Sequence, residues 1–263
     1  DAGLVRVFSG FDGSVLYNFA GDTTNDHLGM SVAGAGDVNR DGFDDIIAGA
    51  EGINGMARGY ARVYSGKDGA IIYTWYGQND YDAFGWSVDG VGDLNGDGVS
   101  DVVVGAPGIS TNTNIAGYAD AYSGKSGRLL YHWNGANPKD YFGYAVSGAG
   151  DINQDGAQDI IVGAPIFIPY QQPGSSGYAE IFSGKNGARL EHIIGVGQPG
   201  AKIISSKIAS GKTAYEPVDR FGISVSGAGD LNGDGRPDIL IGADFSKYWP
   251  PDGIGYARVF TGQ

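Results

Sequence analysis

The chain has 263 residues, 48 of them glycine and none cysteine, and a formal net charge of −13. Without cysteine, disulfides and thiolate metal sites are excluded, and the acidic balance argues against nucleic acid or an anionic membrane surface as partner. There is no run of 18 apolar residues, so no segment reads as a membrane span.

Glycine at this density without a G-X-Y period excludes collagen. Together with 16 Tyr, 11 Phe and 4 Trp it implies short strands joined by tight turns. The first residue is Asp1 and not Met, as expected of a processed or excised segment.

From the N-terminus, the first recognisable piece is Gly3-Leu-Val-Arg-Val-Phe-Ser-Gly10, a variant of a segment Gly-Tyr-Ala-x-Val-Phe-Ser-Gly that starts again at Gly59, Gly117, Gly177 and Gly255. A second segment, D-x-N-x-D-G-x-x-D, starts at Asp37, Asp93, Asp151 and Asp230. Eight residues before each of these aspartates stands a glycine, at 29, 85, 143 and 222, preceded by Leu28, Phe84, Phe142 or Phe221. Twelve residues after each aspartate comes Gly-Ala, starting at Gly49, Gly105, Gly163 and Gly242. Fixed offsets of this kind identify a tandem repeat.

Each unit predicts four short strands. Strand A opens on Phe-Gly-x-Ser-Val. Strand B follows the acidic loop and is apolar throughout, as in Asp101-Val-Val-Val-Gly105, which suits burial on both faces. Strand C is Gly-Tyr-Ala-x-Val-Tyr, and strand D follows a Ser-Gly-Lys-x-Gly turn. Four strands per unit and glycine punctuation describe the blade of an all-β propeller with antiparallel blades, about four in this chain.

The expected layout is one propeller domain over 1–263. Residues 1–20 give strands C and D, and full blades follow at 21–76, 77–133 and 134–194. An insertion occupies 195–215, and strands A to C of the last blade fill 216–263. A ring closed by sharing the terminal strands is the favoured arrangement, because it removes open sheet edges. A segment of a larger ring is the alternative, since one strand C is left to spare.

The acidic loops place oxygen side chains at positions 1, 3, 5 and 9 and glycine at 6. The candidate ligands are Asp37, Asn39, Asp41 and Asp45; Asp93, Asn95, Asp97 and Asp101; Asp151, Asn153, Asp155 and Asp159; Asp230, Asn232, Asp234 and Asp238. Position 7 would contribute a backbone carbonyl, from Phe43, Val99, Ala157 or Arg236, whose differing side chains suit a role of the main chain alone. A curled loop with alternate oxygens suits Ca²⁺, about four ions with one per A–B loop; zinc would want Cys or His, and Mg²⁺ a stricter octahedron. Four such ions would bring the formal charge from −13 to −5. Position 12 is Ala48, Val104, Val162 or Ile241, which excludes an EF-hand. The competing reading is a metal-free polar turn.

With Phe84-Gly85 and Gly105-Ala106-Pro107, and Phe142-Gly143 and Gly163-Ala164-Pro165, the chain resembles the FG-GAP repeat family, the calcium-binding propeller repeats of integrin α-subunits and many secreted bacterial proteins. Two copies depart from the signature, Leu28-Gly29 with Gly49-Ala50-Glu51 and Phe221-Gly222 with Gly242-Ala243-Asp244. The resemblance implies Ca²⁺ held by loop positions 1, 3, 5, 7 and 9. It also implies rings of seven blades, which leaves the blade count of this chain open.

An enzyme is not expected. His27, His132 and His192 are scattered, and no G-x-S-x-G elbow occurs. Gly195 to Gly200 and Gly211-Lys212-Thr213 match nucleotide-binding patterns only by coincidence, the latter having Ser206 where a glycine is required. Tyr60, Tyr118, Tyr178 and Tyr256, with Trp75 and Trp133, read as packing residues. Tyr248-Trp249-Pro250-Pro251 is a candidate contact surface, and Lys202, Lys207 and Lys212 make the 195–215 insertion a candidate for self-association.

The leading expectation is an extracellular or cell-surface recognition, adhesion or scaffold module that binds a protein or glycan on a loop face. No nucleic acid or membrane insertion is expected. A carbohydrate-binding or carbohydrate-active propeller with a site over the central channel is the alternative.

Overall fold

The computed structural model describes residues 2–52, 58–108, 115–166, 176–195, 219–244 and 255–261. Among them lie seventeen strands, arranged as five antiparallel sheets. β1 (Leu4–Phe8) and β2 (Val15–Ala20) form a half-blade. Blade 1 is β3 (Ser31–Gly36), β4 (Asp45–Ala50), β5 (Tyr60–Tyr64) and β6 (Ile71–Tyr76). Blade 2 is β7 (Ser87–Gly92), β8 (Asp101–Ala106), β9 (Tyr118–Tyr122) and β10 (Leu129–Asn134). Blade 3 is β11 (Ala145–Gly150), β12 (Asp159–Ala164), β13 (Tyr178–Phe182) and β14 (Arg189–Ile194). Blade 4 has β15 (Ser224–Gly229), β16 (Asp238–Ala243) and β17 (Tyr256–Phe260).

Each blade is a meander; the strands of blades 1 to 3 run A to D as the repeat predicts, and those of blade 4 run A to C among the described residues. The first strands of successive blades face one another in the order β3, β7, β11, β15, which makes the architecture a β-propeller. The continuous apolar character of strand B has a direct cause. Val102 and Val104 enter the core shared with blade 1, while Val103 enters the core shared with blade 3. Four such cores, one per junction, hold the five sheets together. Phe84, Phe142 and Phe221 are fully buried in three of them, and Leu28 occupies the corresponding place in the fourth.

The Phe-Gly and Gly-Ala signatures are packing devices between blades. A Cβ on Gly105 would lie 2.0 Å from the carbonyl oxygen of Gly143, and one on Gly163 would lie 2.0 Å from that of Gly222. Strand B thus passes the opening of the next blade so closely that no side chain fits. Strand D contributes through Trp75 and Trp133. Their indole N–H groups donate to the carbonyls of Gly127 and Gly187 in the next blade's C–D turn. Trp75 also stacks on Tyr122 at 4.6 Å and Trp133 on Phe182 at 4.8 Å.

The expected ring closure through shared terminal strands is not formed in the strand pairing. β1–β2 and β15–β17 are separate sheets. Gly3 bridges Leu28 just as Gly117 bridges Phe142, so β1 stands to blade 1 as the strand C of the preceding position. β17 is the strand C of blade 4. Both C strands therefore have their own sheets, and the spare strand is accounted for.

The insertion from residue 196 onward, with Lys202, Lys207 and Lys212, and the Tyr248 to Pro251 surface lie outside the described residues.

Candidate metal centre

Each A–B hairpin carries a register shift at the end of strand A, at Gly34/Gly36, Gly90/Gly92, Gly148/Gly150 and Gly227/Gly229. A bulge bends the strand, and at these bends the acidic loops leave. Position 6 is a glycine with φ of 80 to 91° in every loop, the left-handed conformation that the sharp turn demands.

Three of the predicted ligand positions gather on one turn. In loop 2, Asp93 Oδ1 accepts from the N–H of Asp97 at 3.1 Å and Oδ2 from that of Gly98 at 2.7 Å. Asn95 Oδ1 accepts from Asp97 N at 3.0 Å, and Asp97 Oδ1 from Val99 N at 3.1 Å. The same four bonds recur in loop 1, loop 3 and loop 4.

The ninth position behaves differently. Asp45, Asp101, Asp159 and Asp238 are each the first residue of strand B and are buried. Asp101 Oδ2 accepts from Leu94 N at 2.9 Å and Oδ1 from Gly124 N at 3.0 Å. Asp45 and Asp159 repeat this with Val38 and Gly66, and with Ile152 and Gly184. Asp238 accepts from Leu231 N, and the matching glycine, Gly262, lies outside the described residues. Burial pushes the Asp101 and Asp159 carboxyls up to about 6, and the negative charge of Asp97 or Asp155 adds to the effect.

At position 7, Phe43 is exposed while Val99 and Ala157 are buried, so a backbone carbonyl is what these positions share.

The donor set fits a hard divalent cation. It consists of oxygens only, with three carboxylates per loop, and positions 1, 3 and 5 share one turn. Among the described residues no three acidic or imidazole side chains converge into a formed ion cage. In this arrangement the oxygens cap the loop's own N–H groups. Each keeps a second lone pair while doing so, which leaves acceptor capacity for a cation.

A second set of aspartates recurs once per blade and escaped the sequence reading. Asp26, Asp82, Asp140 and Asp219 stand two residues before Leu28, Phe84, Phe142 and Phe221, and all four are buried. Tyr118 donates to Asp82 Oδ2 at 2.6 Å and Tyr178 to Asp140 Oδ2 at 2.8 Å; Tyr60 and Tyr256 donate likewise to Asp26 and Asp219. The same Asp82 carboxylate accepts the N–H groups of Gln78, Asn79 and Phe84. These aspartates clamp the entry of each blade to its own strand C. Their constant offset from the Phe-Gly pair was the available signal.

All three histidines pair with acids: His27 with Glu51, His132 with Asp120 and His192 with Glu180. Glu51 and Asp244, which replace proline in the two divergent signatures, face a basic residue in their own blade, His27 and Arg220. Trp86 and Tyr144 pack 5.1 Å apart after the Phe-Gly pairs of blades 2 and 3, where blades 1 and 4 have Met30 and Ile223. That aromatic pair is not repeated around the blades.

The sequence matches the FG-GAP repeat at residues 28–64, 84–124, 142–180 and 221–260, together more than half of the chain. Integrin alpha-5 of Xenopus laevis is 30% identical over 230 residues, which cover 82% of this chain and 20% of that protein. Integrin alpha-V of Gallus gallus is 30% identical over 227 residues, 82% of this chain and 20% of its own length. Integrin alpha pat-2 of Caenorhabditis elegans is 31% identical over 245 residues, 83% of this chain and 18% of its own length. The chain thus spans about a fifth of the length of these relatives. Among solved structures, that of the Dos1 propeller aligns with a TM-score of 0.49 and 13% identity, over 92% of this chain and 47% of that one. The repeat match covers every A–B loop and strands A and B of blades 1 to 4, and reaches into strand C of each, and the chain belongs to the FG-GAP repeat family.

Proposed function

We propose that this chain is a calcium-stabilised propeller module that recognises a protein through a loop face, in an extracellular or cell-surface setting, and is not an enzyme. One observation carries the reading: four loops gather the same oxygens on the same turn, each against a buried carboxylate at the base of strand B. A cation there offsets the mutual repulsion of three carboxylates, and so stabilises the loop and the blade it belongs to. The kinship with integrin α chains supports adhesion or recognition, and the extracellular place suits weak calcium sites.

The dispersal of the histidines over three blades, each held by an acid of its own blade, supports a non-enzymatic role. The lectin form of the carbohydrate alternative has less support, since it calls for a site repeated per blade and the Trp86–Tyr144 pair is not repeated among the described residues. No helix among the described residues is long and apolar enough to cross a membrane. Among the described residues β2 and β17 lie in separate sheets, which favours an arc of blades over a ring closed at four.

The test is calcium stoichiometry by equilibrium dialysis. Asp97→Ala removes a shared ligand of loop 2 and is expected to lower the count by one ion, while His132→Ala leaves the count unchanged. An unaltered count in Asp97→Ala would refute the ligand assignment.

A further inference from the structure

The four acidic loops are not joined evenly around the molecule. Position 4 is Arg40 in loop 1, Gly96 in loop 2, Gln154 in loop 3 and Gly233 in loop 4. All four residues have positive φ, at 59, 74, 59 and 76°. Glycine adopts this conformation freely, whereas a residue with a side chain is strained there. Strain of that kind persists where the surroundings make use of it.

Arg40 and Gln154 use it to reach the next blade. Arg40 Nη2 donates to the carbonyl of Asp97 in loop 2 at 2.6 Å, and Gln154 Nε2 to the carbonyl of Gly235 in loop 4 at 3.3 Å. Both accepted carbonyls lie at position 5 or 6 of the receiving loop, within the stretch that carries ligand positions 5 and 7. Gly96 has no side chain to send towards loop 3. There the carbonyl of Asp155 is taken instead by Lys185, from the C–D turn of its own blade, at 2.9 Å. At this one unlinked junction a cavity of about 760 Å³ opens between the loops, bordered by Asp93, Asn95, Gly96, Asp151, Gln158 and Lys185.

We propose that Arg40 and Gln154 are positioning residues that couple the ion occupancy of loop 1 to loop 2 and of loop 3 to loop 4, while loops 2 and 3 fill independently. The proposal rests on the calcium reading above. Arg40 sits between Asn39 and Asp41, two members of the loop 1 ligand set, so an ion there fixes the backbone that aims the guanidinium. The guanidinium then holds the Asp97 peptide of loop 2 in place before that loop takes its own ion. Linkage makes the effect reciprocal: an ion in loop 2 favours one in loop 1. Gln154 stands in the same relation to Asn153, Asp155 and loop 4.

The amide resonances of Gly42, Gly98, Gly156 and Gly235, one at position 6 of each loop, report the four sites separately in an NMR calcium titration of the full chain. Emptying loop 1 with Asp41→Asn is expected to weaken loop 2 by about fivefold. In an Arg40→Gly background, which keeps the backbone conformation and removes the link, that dependence should shrink to within about twofold. Arg40→Gln, which imitates loop 3, should restore it. Emptying loop 2 with Asp97→Asn should leave the midpoint of loop 3 where it was. A loop 2 midpoint indifferent to loop 1, a dependence that survives Arg40→Gly, or an equal shift across loops 2 and 3 would overturn the coupling while leaving calcium binding intact. No movement of any of the four glycine amides in the unsubstituted chain would overturn the calcium reading, and the coupling with it.

Discussion

Phe142→Ala is expected to lower the unfolding free energy by about 3–5 kcal/mol, the cost of emptying a buried aromatic site. The side chain is fully buried at the junction of blades 2 and 3. It meets Phe182 edge-on at 6.1 Å and lies 6.4 Å from Tyr178, both in strand C of blade 3 or at its end. On the other side it shares a core with Val103, Ala119 and Ala121 of blade 2. The cavity left by truncation is walled by two sheets whose backbones are already in contact, so collapse cannot fill it. Phe142→Leu should recover most of the loss. Leu28 holds the same position in blade 1 and is equally buried there. Denaturant unfolding of the three chains checks this, and a loss below about 1 kcal/mol for the alanine variant would mean that the blades do not share a core.

Gly105→Ala should be nearly as damaging although it adds only one carbon. The new Cβ would stand 2.0 Å from the Gly143 carbonyl oxygen, so the strand of blade 2 and the opening of blade 3 must separate. Overpacking against backbone, which has no rotamer to give way, lies at the upper end of the usual range, about 3 kcal/mol. Gly10→Ala provides the contrast. No atom lies within 4 Å of a Cβ at that position, and the φ is not of the left-handed kind. That change should be neutral or slightly stabilising. Equal melting temperatures for the two variants would contradict the inter-blade role of the Gly-Ala signature.

Much of this was legible because the repeat states each element four times. The strand B segment beginning at Asp101 and the gathering of Asp93, Asn95 and Asp97 on one turn follow from local spacing. What escaped depends on which distant residue lies opposite. The departures at Glu51 and Asp244 were visible in the sequence. Their partners His27 and Arg220 stand 24 residues earlier and meet them only because strands A and B are antiparallel. The buried clamp of Asp82 on Tyr118 spans 36 residues in the same way. The bridges of Gly3 to Leu28 and of Gly117 to Phe142 join strand C of one position to the entry of the next blade in the same way.

Thermal unfolding of the intact chain, in EDTA and at a series of calcium concentrations, tests the central claim most directly. The account predicts a melting temperature lowest in EDTA that climbs steadily with calcium, because ions that bind only the folded loops stabilise it in proportion to the logarithm of their concentration. A melting temperature that does not respond from EDTA to millimolar calcium would contradict it. The loops would then be polar turns that shape the blades through their own hydrogen bonds, with no ion involved.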